Sequence, residues 1–159
     1  MGFEKALEKT LVWEGGDKLT KDVDDPGGTT KYGISQKAHP DLDIENLTYE
    51  DAKEIYKKEY WDKSRAEKLP EKIQSQYFDM AVNLGRRRAV KILQKACNSL
   101  NRDKIKEDGL IGKNTIRAAG GLEPNRFRAF RVMRYVKLVM NNPKLMKYYY
   151  GWYNRAINV

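Results

Sequence analysis

Cysteine and histidine are nearly absent from this chain: Cys97 and His39 are the only ones in 159 residues. A lone cysteine excludes a scaffold built on internal disulfides, and its place among apolar residues at helical spacing suits a small buried hydrophobe. With one histidine there is neither a Cys/His cluster nor a His-Glu-x-x-His helix to bind a catalytic metal. His39, followed by Pro40, sits in no arrangement that would serve as the base of a nucleophilic triad, and it reads as a surface residue. Glycine is present, but not in phosphate-binding order: Gly27-Gly28 is followed by Thr29-Thr30, without the lysine and spacing of a phosphate loop. No cofactor and no metal are therefore expected.

Long apolar runs are missing too, so no transmembrane segment is expected. The first twenty residues include Glu4, Lys5, Glu8, Lys9 and Asp17, where a secretory signal would carry an uncharged apolar stretch. This reads as a protein made in the cytoplasm without a signal peptide, acting elsewhere only after release. Acidic residues are outnumbered, 22 against 31 Lys and Arg, which leaves a formal charge of +9. Such a field favours an anionic partner. By charge alone, nucleic acid, a membrane surface and an anionic cell wall all stay open. The runs Arg126-Phe127-Arg128 and Arg131 to Arg134 match no recognised nucleic-acid-binding motif, and Gly85-Arg86-Arg87-Arg88 reads either as a solvated helix start or as an anion contact.

What is present is helical periodicity. Phe3, Ala6, Leu7, Thr10, Leu11 and Glu14 share one face, and Gly15-Gly16 ends that helix at the glutamate. From Asp17 to Ser35 the residues are those of turns and a short hairpin. Thr48 and Asp51 form a capping box before Ala52, Ile55, Tyr56, Glu59 and Tyr60. Pro70 opens a helix carrying Ile73, Tyr77, Met80, Ala81 and Leu84, closed by Gly85. The clearest amphipath carries Ala89, Val90, Leu93, Ala96, Cys97 and Leu100. After a polar loop, a short helix starts near Asn114. Two more helices carry Ala129, Val132, Met133, Val136 and Met140, then Leu145, Met146, Tyr149, Trp152, Tyr153 and Ala156. The expected architecture is mainly α, with residues 1–85 and 86–159 as two regions packed into one globule, and the expected state is a monomer.

Carboxylates are the remaining candidates for chemistry, and they suffice for glycoside hydrolysis, which needs one protonated acid and one ionised group. Glu14 stands on the apolar face at the C-terminal end of its helix. Desolvation and the helix dipole would both disfavour its charge there, so its pKa is expected to rise. Asp24-Asp25-Pro26-Gly27-Gly28-Thr29-Thr30 places carboxylates and hydroxyls on a tight loop, where Gly28 permits close backbone approach to a ligand. Spacing alone leaves Glu14 open between a solvated helix-end charge and a catalytic acid.

Trp13-Glu14-Gly15-Gly16, followed by Asp25-Pro26-Gly27-Gly28-Thr29-Thr30-Lys31-Tyr32-Gly33-Ile34-Ser35, resembles the N-terminal signature of glycoside hydrolase family 108. That family comprises phage-type N-acetylmuramidases, also described as secretion activator proteins. The resemblance continues in Tyr60-Trp61 and in Phe78-Asp79-Met80-Ala81-Val82-Asn83. The second half resembles a predicted peptidoglycan-binding region, in Ala89 to Ala96, Asp108 to Gly112 and Gly151-Trp152-Tyr153-Asn154-Arg155. The resemblance implies a lysozyme-like helical fold with a short irregular or β-hairpin segment after the first helix. It implies peptidoglycan as partner, cleavage between N-acetylmuramic acid and N-acetylglucosamine, and Glu14 as the catalytic acid.

By analogy with phage lysozymes, Asp25 and Thr30 would be the partners of Glu14, and inversion the outcome. Asp17 directly after Gly16, and Asp22-Val23 in place of the family's Asp-Pro, keep Asp22 and Asp24 open as alternatives to Asp25. Gly28, Tyr32, Tyr60 and Asn83 are the candidate substrate contacts; Trp61 and Tyr77 are further aromatics that would either stack on sugars or fill the core. A non-catalytic wall-binding or secretion-assisting protein would keep the same fold and basic surface.

Overall fold

The computed structural model describes residues 2–21, 28–100 and 103–159. Its first helix, α1 (Gly2–Leu11), buries Ala6, Leu7, Thr10 and Leu11. The regular helix stops three residues short of the glutamate, but helical bonding runs on. The Glu14 amide donates to the Thr10 and Leu11 carbonyls, and the Gly16 amide closes back onto Leu11 O at 3.0 Å. Gly15 and Gly16 have φ of +86° and +56°, the left-handed conformation that ends a helix in this way and that glycine adopts without penalty. Glu14 thus occupies the last position of the helical turn.

A small antiparallel sheet follows, in the order β1 (Thr20–Lys21), β2 (Thr29–Lys31), β3 (Ile34–Ser35). Thr30 pairs with Thr20 on one side and Ser35 on the other. The β2–β3 hairpin turns on Tyr32 and Gly33, at φ of +53° and +73°, the pair of positive values that a tight two-residue hairpin demands.

Helix α2 (Tyr49–Tyr56) carries the expected capping box: Thr48 Oγ1 accepts from the Asp51 amide, and the Asp51 carboxylate accepts from the Thr48 amide. The helix then widens into a π-helical segment at Lys57–Asp62, which periodicity did not foresee. The wider turn brings Trp61 fully inward, against Phe3 and Phe78 at ring-centroid distances of 5.4 and 5.6 Å. Glu59, expected on the inner face, instead forms a surface ion pair with Lys63.

The remaining helices are α3 (Glu71–Leu84), α4 (Arg86–Asn98), α5 (Lys113–Ala119), α6 (Pro124–Asn141) and α7 (Met146–Asn158). α3 is central: α1, α4 and α6 pack on it, and α7 packs on α6. Gly85 alone, at φ +85°, separates α3 from α4. One apolar core runs from Leu7 and Leu11 through Ile73, Tyr77 and Met80 to Leu93 and Phe127, so both halves of the sequence contribute to it.

In α6 the structure turns the expected apolar stripe outward. Met133, Val136 and Met140 are exposed, whereas Phe127, Arg131, Tyr135 and Val139 point inward. The inward face is set by an arginine, for a reason that lies in the site described below. Among the described residues no helix is long and apolar enough to cross a membrane.

Cys97 is fully buried on α4, and burial pushes its thiol from 9.0 up to about 11. Below pH 9 the thiol is neutral in both the folded and unfolded chain. Above it the unfolded chain ionises first, so this group's contribution to stability is lost as the pH rises from 9 through 11. Urea titrations of the wild type and Cys97→Ala should therefore show the wild type's advantage shrinking across that window. In the native state Ellman's reagent should leave Cys97 unmodified.

Candidate active site

Glu14 sits where the end of α1 meets the β2–β3 turn, α2 and α7. Its side chain is 22% exposed, and its Oε1 accepts a hydrogen bond from Arg155 Nη2 at 2.6 Å. The apolar surroundings expected from the sequence are therefore only half of its environment; the other half is a guanidinium from the far end of the chain. The hairpin turn covers the carboxylate closely. A Cβ at position 33 would stand 2.8 Å from Glu14 Cβ, 2.8 Å from Tyr56 Oη and 3.0 Å from Glu14 Oε2. Gly33 is thus needed twice, for its positive φ and for this approach. The turn is fixed from both sides, since the Tyr32 amide donates to Gly16 O at 3.0 Å and Tyr56 Oη donates to Tyr32 O at 2.9 Å.

Behind Glu14 lies a buried chain of charge. Asp79, on α3 and wholly inaccessible, accepts from Arg155 Nε and Nη2 at 3.1 and 2.9 Å and from Arg131 Nη2 at 2.5 Å. Arg131 Nε donates to Tyr135 Oη at 2.8 Å, and that hydroxyl donates to Asn83 Oδ1 at 3.2 Å. Two carboxylates and two guanidiniums therefore balance in one network that joins α1, α3, α6 and α7. Burial by itself would lower the Arg155 pKa, but Asp79 and then Glu14 outweigh it and hold the guanidinium above its ordinary value. This network draws Arg131 to the inner face of α6. Arg131 Nη1 has no hydrogen-bond partner among the described residues.

Two tyrosines stand near Glu14. Tyr56 is buried, and desolvation, with the Glu14 charge second, raises its pKa well above that of a free phenol, so it remains a hydrogen-bond donor. Tyr60 packs on it at a centroid distance of 5.4 Å and is shifted upward by burial, Glu59 and Glu14. On the other side Trp152 lies 5.4 Å from Tyr135, and Tyr148, half exposed, stacks 6.0 Å beyond Trp152. Among the described residues no three His, Cys, Asp or Glu side chains gather in a metal-binding group.

Of the residues singled out from the sequence, Glu14, Tyr60 and Asn83 are joined to this constellation, Tyr60 through Tyr56 and Asn83 through Tyr135. Thr30 lies on β2, two residues before the turn that covers Glu14. Tyr32 contributes its carbonyl to Tyr56, while its ring leans on Tyr49 at 6.2 Å. Gly28, at φ +66°, leads into β2, and a Cβ there would meet nothing nearer than Gln36 Cβ at 4.0 Å. Asp22, Asp24 and Asp25 lie outside the described residues. Trp61 and Tyr77 are core: both are buried, and Tyr77 Oη donates to Ser64 O.

Asp79, Arg131, Arg155, Tyr135 and Tyr56 were not among the sequence candidates. Asp79 and Arg155 do fall inside the segments Phe78 to Asn83 and Gly151 to Arg155 that carried the family resemblance, and that was the available signal.

The arrangement defines the class of protein: a helical, lysozyme-like fold with a carboxylate at the end of its first helix, facing a small sheet. Residues 7–85 match the family model described as Glycosyl hydrolase 108, and residues 88–157 match the one described as Predicted Peptidoglycan domain. The chain belongs to glycosyl hydrolase family 108, which makes it a glycoside hydrolase with a peptidoglycan-related function and peptidoglycan as its partner. Its structure is similar to that of Brucella abortus SagA, with a TM-score of 0.73 and 26% identity over 97% of this chain and 88% of the other. No curated protein matches the chain by sequence.

Replacing Asp79 with Ala strands the buried Arg131 guanidinium and leaves Arg155 with Glu14 alone, and stability should fall by about 3–5 kcal/mol in chemical denaturation. Gly33→Ala places a side chain at positive φ against Glu14. A loss of about 1–3 kcal/mol from backbone strain, together with impaired activity, is the expected result in the same denaturation assay and in cell-wall digestion.

Proposed function

We propose that the protein is an N-acetylmuramidase that cleaves the bond between N-acetylmuramic acid and N-acetylglucosamine, with Glu14 as the general acid. The observation that carries this reading is the setting of the Glu14 carboxylate. Arg155 occupies Oε1, and Oε2 faces Gly33, which has no side chain to crowd it. The oxygen held by Arg155 is anchored; the other is the one that can present a proton to a glycosidic oxygen. Arg155 is fixed in turn by Asp79, so the acid is held in one orientation, as proton transfer in a transition state requires.

Hydrolysis also needs a group to activate water or to stabilise the sugar cation. Asp25 is our candidate for it, with Thr30 alongside and Asp22 and Asp24 as its rivals, and the phage-enzyme analogy supports inversion at the anomeric carbon. Tyr60 and Asn83 stand close enough to the network to contact the glycan, with Gly28 and Tyr32 on the hairpin side. No metal takes part in this scheme. The protein acts as a monomer on the bacterial cell wall or in the periplasm, after release from the cytoplasm.

Glu14→Gln preserves shape but removes the proton. Lysis of purified peptidoglycan, followed by turbidity and by release of reducing ends, should fall about 10²–10⁴-fold, while the melting temperature stays close to that of wild type. Near-normal lysis by this variant would end the assignment. Products ending in reducing N-acetylmuramic acid are expected; reducing N-acetylglucosamine would mean a different bond is cut. Among Asp22→Asn, Asp24→Asn and Asp25→Asn, only the last should match the loss in Glu14→Gln.

A further inference from the structure

A cleft away from Glu14 measures about 960 Å³, near the upper end of the range typical of small-ligand sites, roughly 300–1,000 Å³. Tyr77 lies in its floor. That residue is two positions, about 200° of helical rotation, from Asp79 on α3, so the cleft opens on the side of α3 away from the Glu14–Arg155–Asp79 network.

The cleft's charge is predominantly positive. Lys63, Arg86, Arg87, Arg88 and Lys91 line it, against Asp108 as the one acidic residue. Asp108 is already engaged, accepting from Gln94 Nε2 and the Leu110 amide, both at 2.9 Å. Arg86 and Arg88 each spend one nitrogen on a backbone carbonyl, of Lys63 and Leu84 respectively. Arg87 and Lys91 have no ion-pair partner among the described residues. Positive charges outnumber the carboxylates here, Asp108 in the lining and the Glu59 that pairs with Lys63, an arrangement that raises the local concentration of anions.

The walls are held in place. Gln94, almost wholly buried, bonds Asp108, the Gly109 amide and Leu110 O, which pins this loop to α4. Gly109, at φ +77°, sits against the aliphatic stems of Arg87 and Lys91, so close that a Cβ would stand 2.7 Å from Arg87 Cγ and 3.3 Å from Lys91 Cγ. The stems are packed. Beside the charged heads, the 69%-exposed Leu110 and the half-buried Ile111 give the cleft an apolar lining.

We propose that this cleft binds the peptide stems of peptidoglycan. Their free carboxylates match the guanidinium and ammonium groups, and their alanine methyls match the apolar lining. A phosphodiester polymer offers anions but nothing for Leu110 and Ile111 to cover. The choice of occupant rests on the reading of the chain as a peptidoglycan hydrolase. The cleft then holds the wall through its peptides while Glu14 works on the glycan from another face of the molecule. It also gives a role to the Arg86-Arg87-Arg88 run, which the glycosidase chemistry leaves unused.

The test uses the full-length protein and a double variant, Arg87→Gln with Lys91→Gln, which removes two charges and keeps side chains long enough to pack on Gly109. The probes are a free stem tetrapeptide, intact peptidoglycan, glycan strands stripped of their peptides by an amidase, and a poly(glycerol phosphate). The tetrapeptide should titrate backbone amide signals of the wild type near Gly109 and bind the double variant about tenfold more weakly, the loss expected for charge-assisted hydrogen bonds. Digestion of intact peptidoglycan should slow in the variant, with digestion of stripped strands unchanged.

Unchanged tetrapeptide binding in the variant overturns the proposal. So does an equal slowing on both substrates, or a wild type that binds poly(glycerol phosphate) in preference to the peptide. Should the tetrapeptide bind as expected while no glycan is cut by either protein, the cleft assignment stands and the muramidase reading falls.

Discussion

The Asp79 carboxylate, buried without access to solvent between the guanidiniums of Arg131 and Arg155, is the interaction on which the rest of this molecule is arranged. A charge in that position is tolerable only if it is paired and hydrogen-bonded. The pairing partners come from α6 and α7, more than fifty residues further along the chain. Their presence fixes the rotation of both helices. It explains why α6 presents Phe127, Arg131, Tyr135 and Val139 to the interior, although a more apolar stripe was available on its other side. A cost in desolvation is accepted, and in return four helices are registered against one another at the place where Glu14 emerges.

From this centre the influence runs in two directions. Towards α1, Arg155 reaches past Asp79 to Glu14 and holds one carboxylate oxygen, while the Tyr32–Gly33 turn closes on the same side chain from the sheet. Towards α6, Arg131 passes the constraint to Tyr135 and then to Asn83. The half-buried Trp152 and the exposed Tyr148 continue outward from Tyr135.

The basic surface has a second centre, organised differently. Around Glu14 and Asp79 opposite charges balance. In the cleft between Gly85 and Ile111 they do not, and the loop that frames it is secured by the neutral amide of Gln94. Separation of the two by the body of α3 lets one chain carry a cationic surface without its cations disturbing the charge balance around Glu14.

The amino-acid sequence by itself determined the helical class, because a 3.6-residue apolar period, a Thr48–Asp51 capping box and paired glycines after Glu14 are local signals, read within a few residues of where they act. It marked Glu14 and the Gly-Gly-Thr-Thr loop through the resemblance they carry, and Asp79 and Arg155 lay unremarked inside two other segments of the same resemblance. Tertiary structure alone decided that Asp79, Arg131 and Arg155 are one buried network, that Gly33 packs on Glu14, and which face of α6 is inside. Each of these depends on contacts between residues 19 to 141 positions apart. No periodicity within one helix records a charge that waits on another, so an arginine that will be buried looks, in sequence, like any solvated one.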